Sequence, residues 1–97
     1  MTIPNIIHFM WKDKYGNTGY PSLYNKYVES WYKHNPNFKY IFWFNNDIER
    51  LWSTDWGIEN MDKYRKTYSD MKHIEQCDFS RYLIMYIYGG VYVDLNT

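Results

Sequence analysis

The last twenty residues of the chain constrain its fold more than any other segment. From Asp78 to Thr97 they combine a helical pattern, a glycine pair and β-forming residues. Gly89-Gly90 ends the helix, because glycine adopts positive φ without strain, and residues 91–93 then predict a short buried strand. One apolar stripe at helical spacing is predicted to face a core, formed by Ile74, Cys77, Tyr82, Met85 and Tyr88.

Two pairs of polar residues interrupt this apolar segment. Asp78 and Arg81 lie three apart, so they share a helix face. Asp94 and Asn96 lie two apart where the strand ends, so they point to one side and could hold a hard cation with their oxygens. From spacing alone, Asp78 and Arg81 could instead be an ordinary surface ion pair, and residues 94–97 could be a solvated chain terminus.

The rest of the chain alternates strand and helix patterns. Residues 3–11 and 38–44 predict strands, and Pro21 opens an amphipathic helix that ends before Asn35-Pro36-Asn37. Further helices are predicted at 48–52, 61–68 and 72–88, with helix caps at Asn45-Asn46-Asp47 and Ser69-Asp70. The order β-α-β-α-α-β predicts an α/β fold with a mainly parallel sheet and flanking helices. His8, within the first strand, is interpreted as a core histidine with a hydrogen-bond partner, with a ligand contact as the alternative.

Size and charge narrow the possible functions. Ninety-seven residues predict one domain, spanning residues 1–97. The formal net charge of zero argues against a non-specific nucleic-acid binder. The single Cys77 cannot form an internal disulfide and is interpreted as a small core residue. No signal peptide or long apolar run is visible, so we expect no membrane span and a cytoplasmic location.

Three landmarks in order resemble one enzyme family. They are the opening residues 3–11 (IPNIIHFMW), the Trp-rich residues 31–43, and residues 78–96 with Asp-x-x-Arg before Tyr-Gly-Gly-Val-Tyr-Val-Asp-Leu-Asn. This pattern is similar to the sugar-nucleotide glycosyltransferases with a DXD motif, which include α-mannosyl-, α1,4-galactosyl- and capsular sugar transferases and, distantly, the glucosylating clostridial toxins. The resemblance implies the nucleotide-sugar-binding half of a GT-A, Rossmann-like fold. It also implies sugar transfer from a UDP- or GDP-sugar to an unknown acceptor.

The resemblance assigns roles to individual residues. Trp11 matches the position that stacks on the base, with a core role as the alternative. Asp78 and Arg81 match the pair that binds the hydroxyls of the donor sugar. Tyr92 would touch the base or ribose. Asp94 and Asn96 occupy the ends of the DXD motif and would bind Mn²⁺ or Mg²⁺, and Asp94 would also contact the ribose or sugar of the donor. The family carries aspartate at the last position of the motif, so asparagine there implies weaker metal affinity. No catalytic nucleophile is identified.

Family catalytic domains extend beyond this motif, whereas the chain ends at Thr97. The resemblance therefore implies a donor half without the acceptor half, as expected for a naturally short or decaying copy, or for a chain that a second copy or another protein completes. Self-association, or a partner chain that covers the C-terminal sheet edge, would also protect an unpaired strand. The alternative is a non-catalytic module of the same fold that binds nucleotide sugars or serves as a scaffold.

Overall fold

A computed structural model describes residues 3–16 and 19–96 of the chain; Met1, Thr2, Asn17, Thr18 and the terminal Thr97 lie outside the described residues. The elements are β1 (Ile6–Met10), a 3₁₀ turn (Ser22–Tyr24), α1 (Asn25–His34), β2 (Lys39–Trp43), α2 (Asn45–Ser53), α3 (Met61–Asp70), α4 (His73–Tyr88) and β3 (Val91–Tyr92). Their order confirms the predicted α/β class. The predicted succession β-α-β-α-α-β is one helix short, because α2, α3 and α4 all lie between β2 and β3.

The three strands form one parallel sheet in the order β2-β1-β3. Met10 of β1 is paired with Trp43 of β2, and His8 is paired with Tyr92 of β3. The chain leaves β1 toward one side to form β2 and returns on the other side to form β3. The carboxyl ends of β1 and β3 therefore flank the point at which the strand order reverses, which is where open α/β sheets bind ligands.

Each face of the sheet carries its own apolar core. On the α1 side the buried residues are Ile7, Phe9, Val28, Val93 and Leu95. On the side of α2, α3 and α4 they are Met10, Trp43, Ile48, Leu51, Trp52, Met61 and Ile84. Strand β1 is covered on both faces, as its continuous apolar run predicts.

The buried face of α4 differs from the predicted apolar stripe. Ile74 and Tyr82 are 67% and 71% exposed, whereas Ser80 and Ile84 are fully buried. The helix is apolar on most of its circumference, so residue type alone does not identify the inner face. The hydroxyl of Ser80 accepts a hydrogen bond from Trp52 Nε1 at 2.9 Å, which allows a polar residue to lie in the core.

The helix starts also differ in part from the prediction. Ser69 and Asp70 end α3 instead of capping α4, whose first turn is closed by the Glu75 carboxylate accepting the Lys72 N–H at 2.9 Å. Asp47 does cap α2, since it accepts the Phe44 N–H at 3.0 Å. None of the helices in the described ranges has the length and apolar character that crossing a bilayer requires.

Strand β3 lies at one edge of the sheet and is only partly buried. Val91 is 40% exposed, so the predicted burial of residues 91–93 is wrong at Val91 and correct at Val93. The reason is that Val91 belongs to an edge strand of two residues, whereas Val93 packs into the core on the α1 side. Pairing of this edge with a second chain stays a prediction.

Candidate functional site

A cleft of about 430 Å³ opens at the carboxyl ends of β1 and β3. The end of β1 and the loop after it form one wall, the first turns of α4 form the opposite wall, and Tyr92 of β3 completes it. The lining residues are Met10, Trp11, Lys12, Asp13, Lys14, Tyr15, His73, Ile74, Cys77 and Tyr92. Its position at the reversal of strand order is the one that the α/β topology predicts for a ligand.

Trp11 lies directly after β1 and belongs both to the core and to the cleft. Its main-chain N–H donates to the Trp43 carbonyl at 2.9 Å, which extends the pairing with β2 by one residue. Its half-buried ring packs against Tyr24, with centroids 5.6 Å apart. The indole Nε1 is buried and has no hydrogen-bond partner among the described residues. Trp11 therefore places part of its ring beside the cleft, while its Nε1–H is buried.

Asp78 and Arg81 form the ion pair that their spacing predicts. Arg81 Nη2 lies 2.6 Å from Asp78 Oδ1, and both side chains are partly exposed. An exposed pair of this kind adds little to stability, about 0.3–0.5 kcal/mol. The guanidinium also lies over the Tyr92 ring, 4.8 Å from its centroid, so it connects α4 to β3. The pair leaves other N–H groups and carboxylate lone pairs of both side chains available to a ligand.

Tyr92 and Asp94 lie on the same side of the last strand. Val93 and Leu95 are both buried in the core on the α1 side, so the alternation of the backbone turns Tyr92 and Asp94 toward α4. Burial, and then the negative charge of Asp94, raise the pKa of Tyr92 to about 12. Arg81 opposes this shift. Tyr92 is therefore a neutral phenol between the guanidinium of Arg81 and the carboxylate of Asp94.

Asp94 and Asn96 are the residues that could contact a metal ion. Both are exposed, and Asn96 follows in a turn beyond β3. No group of three or more His, Cys, Asp or Glu side chains able to hold a metal ion occurs in residues 3–16 and 19–96. One carboxylate and one amide oxygen fit a hard divalent cation, provided that a ligand such as a diphosphate supplies further oxygens.

The structure brings most of the predicted site residues together. Asp78, Arg81, Tyr92 and Asp94 follow one another in a line: Asp78 pairs with Arg81, Arg81 lies over the Tyr92 ring, and the charge of Asp94 acts on the Tyr92 phenol. Trp11 lines the same cleft as Tyr92. Within the described residues, Asn96 makes no hydrogen bond or ion pair with these four residues.

Eight of the ten residues that line the cleft were not predicted as site residues, and two of them, Lys12 and Cys77, carry groups that could meet a ligand. Lys12 is half-buried and also lines a neighbouring cleft of about 460 Å³. Its position just after β1, at the carboxyl end of a strand, is the signal that could have identified it. Cys77 lines the cleft as well as packing on the core. Burial raises the pKa of its thiol, which therefore stays neutral.

Comparison with known proteins places these residues in context. The family model described as "Glycosyltransferase sugar-binding region containing DXD motif" matches residues 21–97. An uncharacterized glycosyltransferase of Acanthamoeba polyphaga mimivirus is 36% identical over 94 residues, covering 97% of this chain and 36% of the viral protein. No solved structure matches the chain.

Two fungal enzymes are similar over the same region. Inositol phosphoceramide mannosyltransferase 3 of Schizosaccharomyces pombe is 31% identical over 97 residues, covering 98% of this chain and 24% of the yeast protein. The initiation-specific alpha-1,6-mannosyltransferase of Candida albicans is 33% identical over 99 residues, covering 97% of this chain and 24% of the relative. The chain thus spans roughly a quarter to a third of the length of these relatives.

Proposed function

Because the chain belongs to the glycosyltransferase family whose sugar-binding region contains a DXD motif, we propose that it binds a UDP- or GDP-sugar and takes part in transferring the sugar to an acceptor. The observation that carries this proposal is the line of Asp78, Arg81, Tyr92 and Asp94 beside the cleft at the carboxyl ends of β1 and β3. It combines hydrogen-bonding groups for a polyol with an acidic residue suited to a cation.

The cleft accounts for the nucleotide. Trp11 offers its ring to a base, and Tyr92 lines the same cleft. Lys12 places a positive charge between this cleft and its neighbour, where it would attract a diphosphate. The base therefore enters between β1 and α4, and the sugar extends toward the carboxylates.

Asp78 and Arg81 account for the sugar. The guanidinium is held in place by Asp78 and by the Tyr92 ring, so little side-chain entropy is lost when it binds a ligand. The pair would orient the sugar hydroxyls relative to the diphosphate. Such orientation brings the anomeric carbon toward an acceptor before the chemical step.

Asp94 and Asn96 would hold the cation. Mn²⁺ or Mg²⁺ bound there neutralises the charge that develops on the leaving diphosphate. The asparagine brings an oxygen but no charge, so the affinity for the cation depends strongly on the diphosphate oxygens. We therefore propose that metal and nucleotide sugar bind together and not one before the other.

The relatives suggest which sugar to test first. Those of S. pombe and C. albicans described above are named as mannosyltransferases. We propose a mannosyl donor for this chain on that ground.

Isothermal titration calorimetry of the purified chain tests the proposal. The ligands are UDP, GDP, UDP-glucose, UDP-galactose and GDP-mannose, each with and without Mn²⁺. We expect one nucleotide and its sugar to bind, with at least about tenfold higher affinity when Mn²⁺ is present. If the folded protein binds none of the five ligands, the proposal is wrong.

Replacing Asn96 by aspartate is expected to strengthen the cation dependence. The added carboxylate supplies the charge that the asparagine lacks, so we expect the Mn²⁺ concentration for half-maximal nucleotide binding to fall about tenfold. Calorimetric titration of Mn²⁺ at a fixed nucleotide concentration measures it. Asn46→Asp, at an exposed position in the first turn of α2, is the matched control for added charge. An equal effect of both variants would contradict a role of Asn96 in metal binding.

A non-catalytic binding module is the second candidate, and Asn96 is the observation that favours it. Both candidates predict nucleotide binding. Release of free nucleotide from the matching nucleotide sugar, with or without added saccharide acceptors, distinguishes them. A chain that binds the nucleotide sugar but never releases free nucleotide from it would be a binding module.

A further inference from the structure

His8 lies in the middle of the sheet, fully buried, with a hydrogen bond at each ring nitrogen. Nε2 lies 2.8 Å from the carbonyl oxygen of Gly89, and Nδ1 lies 3.1 Å from Trp43 Nε1. An indole N–H can only donate, so Nδ1 must accept and the proton must be on Nε2, which donates to Gly89. Partners on both sides of β1 therefore hold the ring in one tautomer.

The surroundings of His8 favour this neutral form. Burial lowers the pKa of His8. The titratable groups that face it are phenols, Tyr88 of α4 with ring centroids 6.0 Å apart and Tyr92 opposite it in β3, whereas β2 presents Trp43. A second proton on the ring would point at the Trp43 N–H, so the two donors would repel each other.

The segment that His8 holds is the turn leading into the candidate site. Gly89 and Gly90 have φ values of +67° and +90°, and β3 itself is only two residues long. The main-chain carbonyl of His8 accepts the N–H of Val93 at 3.0 Å. His8 thus anchors this segment at both ends, through its ring at the turn and through its carbonyl beyond β3.

We propose that His8 is a positioning residue for the nucleotide-sugar site. Its ring ties the Gly89-Gly90 turn to β1 and β2 and so determines the position of the following residues, Tyr92 and Asp94. It touches neither the cleft nor the metal-binding side chains. The effect on ligand affinity rests on the proposed function, whereas the tautomer and the anchoring of the turn do not.

Two substitutions separate the two hydrogen bonds of the ring. His8→Gln keeps an N–H at the distance of Nε2 and so retains the bond to Gly89. His8→Asn keeps an acceptor at the distance of Nδ1 for Trp43 but does not reach Gly89. We expect affinity for the nucleotide sugar to fall about tenfold in His8→Asn, the equivalent of one lost hydrogen bond, and less than about threefold in His8→Gln.

Val28→Ala is the matched control, because Val28 is equally buried but lies in the core on the α1 side. It is expected to lower stability without changing the affinity of the folded protein. Urea unfolding curves of all three variants fix the conditions in which each is fully folded, and calorimetry is then done under those conditions. Equal loss of affinity in His8→Asn and Val28→Ala would overturn the proposal.

NMR of the wild-type and variant chains gives a readout that does not depend on nucleotide binding. The ring nitrogens of His8 are expected to report the Nε2-protonated neutral form. The amide signals of residues 90–93 are expected to shift in His8→Asn and to stay close to wild type in His8→Gln. An Nδ1-protonated ring, or unshifted amide signals in His8→Asn, would overturn the proposal. If no protein binds nucleotide sugar, the proposed function fails and these signals alone decide whether His8 positions the turn.

Discussion

Gly90→Ala is expected to destabilise the protein by about 3 kcal/mol or more, a large part of the total for a domain of this size. A Cβ built on Gly90 would lie 2.5 Å from the carbonyl oxygen of Ile6, which is main chain in β1 and cannot move aside independently. The residue also has a φ of +90°, a conformation that alanine rarely adopts. The close contact and the backbone strain therefore add together at the turn that leads into β3.

Gly57→Ala is the matched control for this prediction. Gly57 has a φ of +70°, but a Cβ there would meet nothing within 4 Å, so only the backbone strain remains. We expect Gly57→Ala to cost about 1 kcal/mol. Urea unfolding followed by tryptophan fluorescence measures both variants. If Gly90→Ala is no more destabilising than Gly57→Ala, the close approach of the turn to β1 is not important for stability.

Asp94→Ala is expected to weaken cation-dependent binding of the nucleotide sugar at least about 100-fold, the equivalent of about 2.7 kcal/mol. It removes the carboxylate that we assign to the metal and that faces the same side as Tyr92. Asp94 is exposed, so its loss should not change the free energy of unfolding by more than about 0.5 kcal/mol. Calorimetry with Mn²⁺ gives the affinity.

Asp70→Ala provides the control for loss of an exposed carboxylate. Asp70 ends α3, is exposed, and is not among the residues that line the cleft. The Asp70→Ala variant should bind the nucleotide sugar with the affinity of the wild type. Unchanged, still cation-dependent binding by Asp94→Ala would mean that the metal is held elsewhere and would remove the main support for the assignment of Asp94 and Asn96.

Much of the fold could be predicted from the sequence because its elements follow from local patterns. The approximate positions of the strands and helices, the break at Gly89-Gly90 and the burial of β1 on both faces depend on residue types and spacing within a few residues. The contact between Asp78 and Arg81 was predictable for the same reason, because residues three apart on a helix meet regardless of what surrounds them. The placement of Tyr92 and Asp94 on one side likewise follows from the period of a strand.

The sequence by itself therefore determined which residues share a face, and only the tertiary structure decided which faces meet. The inner face of α4 is set by how Trp52 fits against Ser80, two residues that lie 28 apart in the chain. The placement of Arg81 over Tyr92 and the bond from His8 to Gly89 depend in the same way on strands brought together by the whole fold. Helical and strand periodicity result from backbone geometry, which repeats along the chain. Contacts between distant segments depend on the shapes and hydrogen-bonding groups of both partners, and no local pattern carries that information.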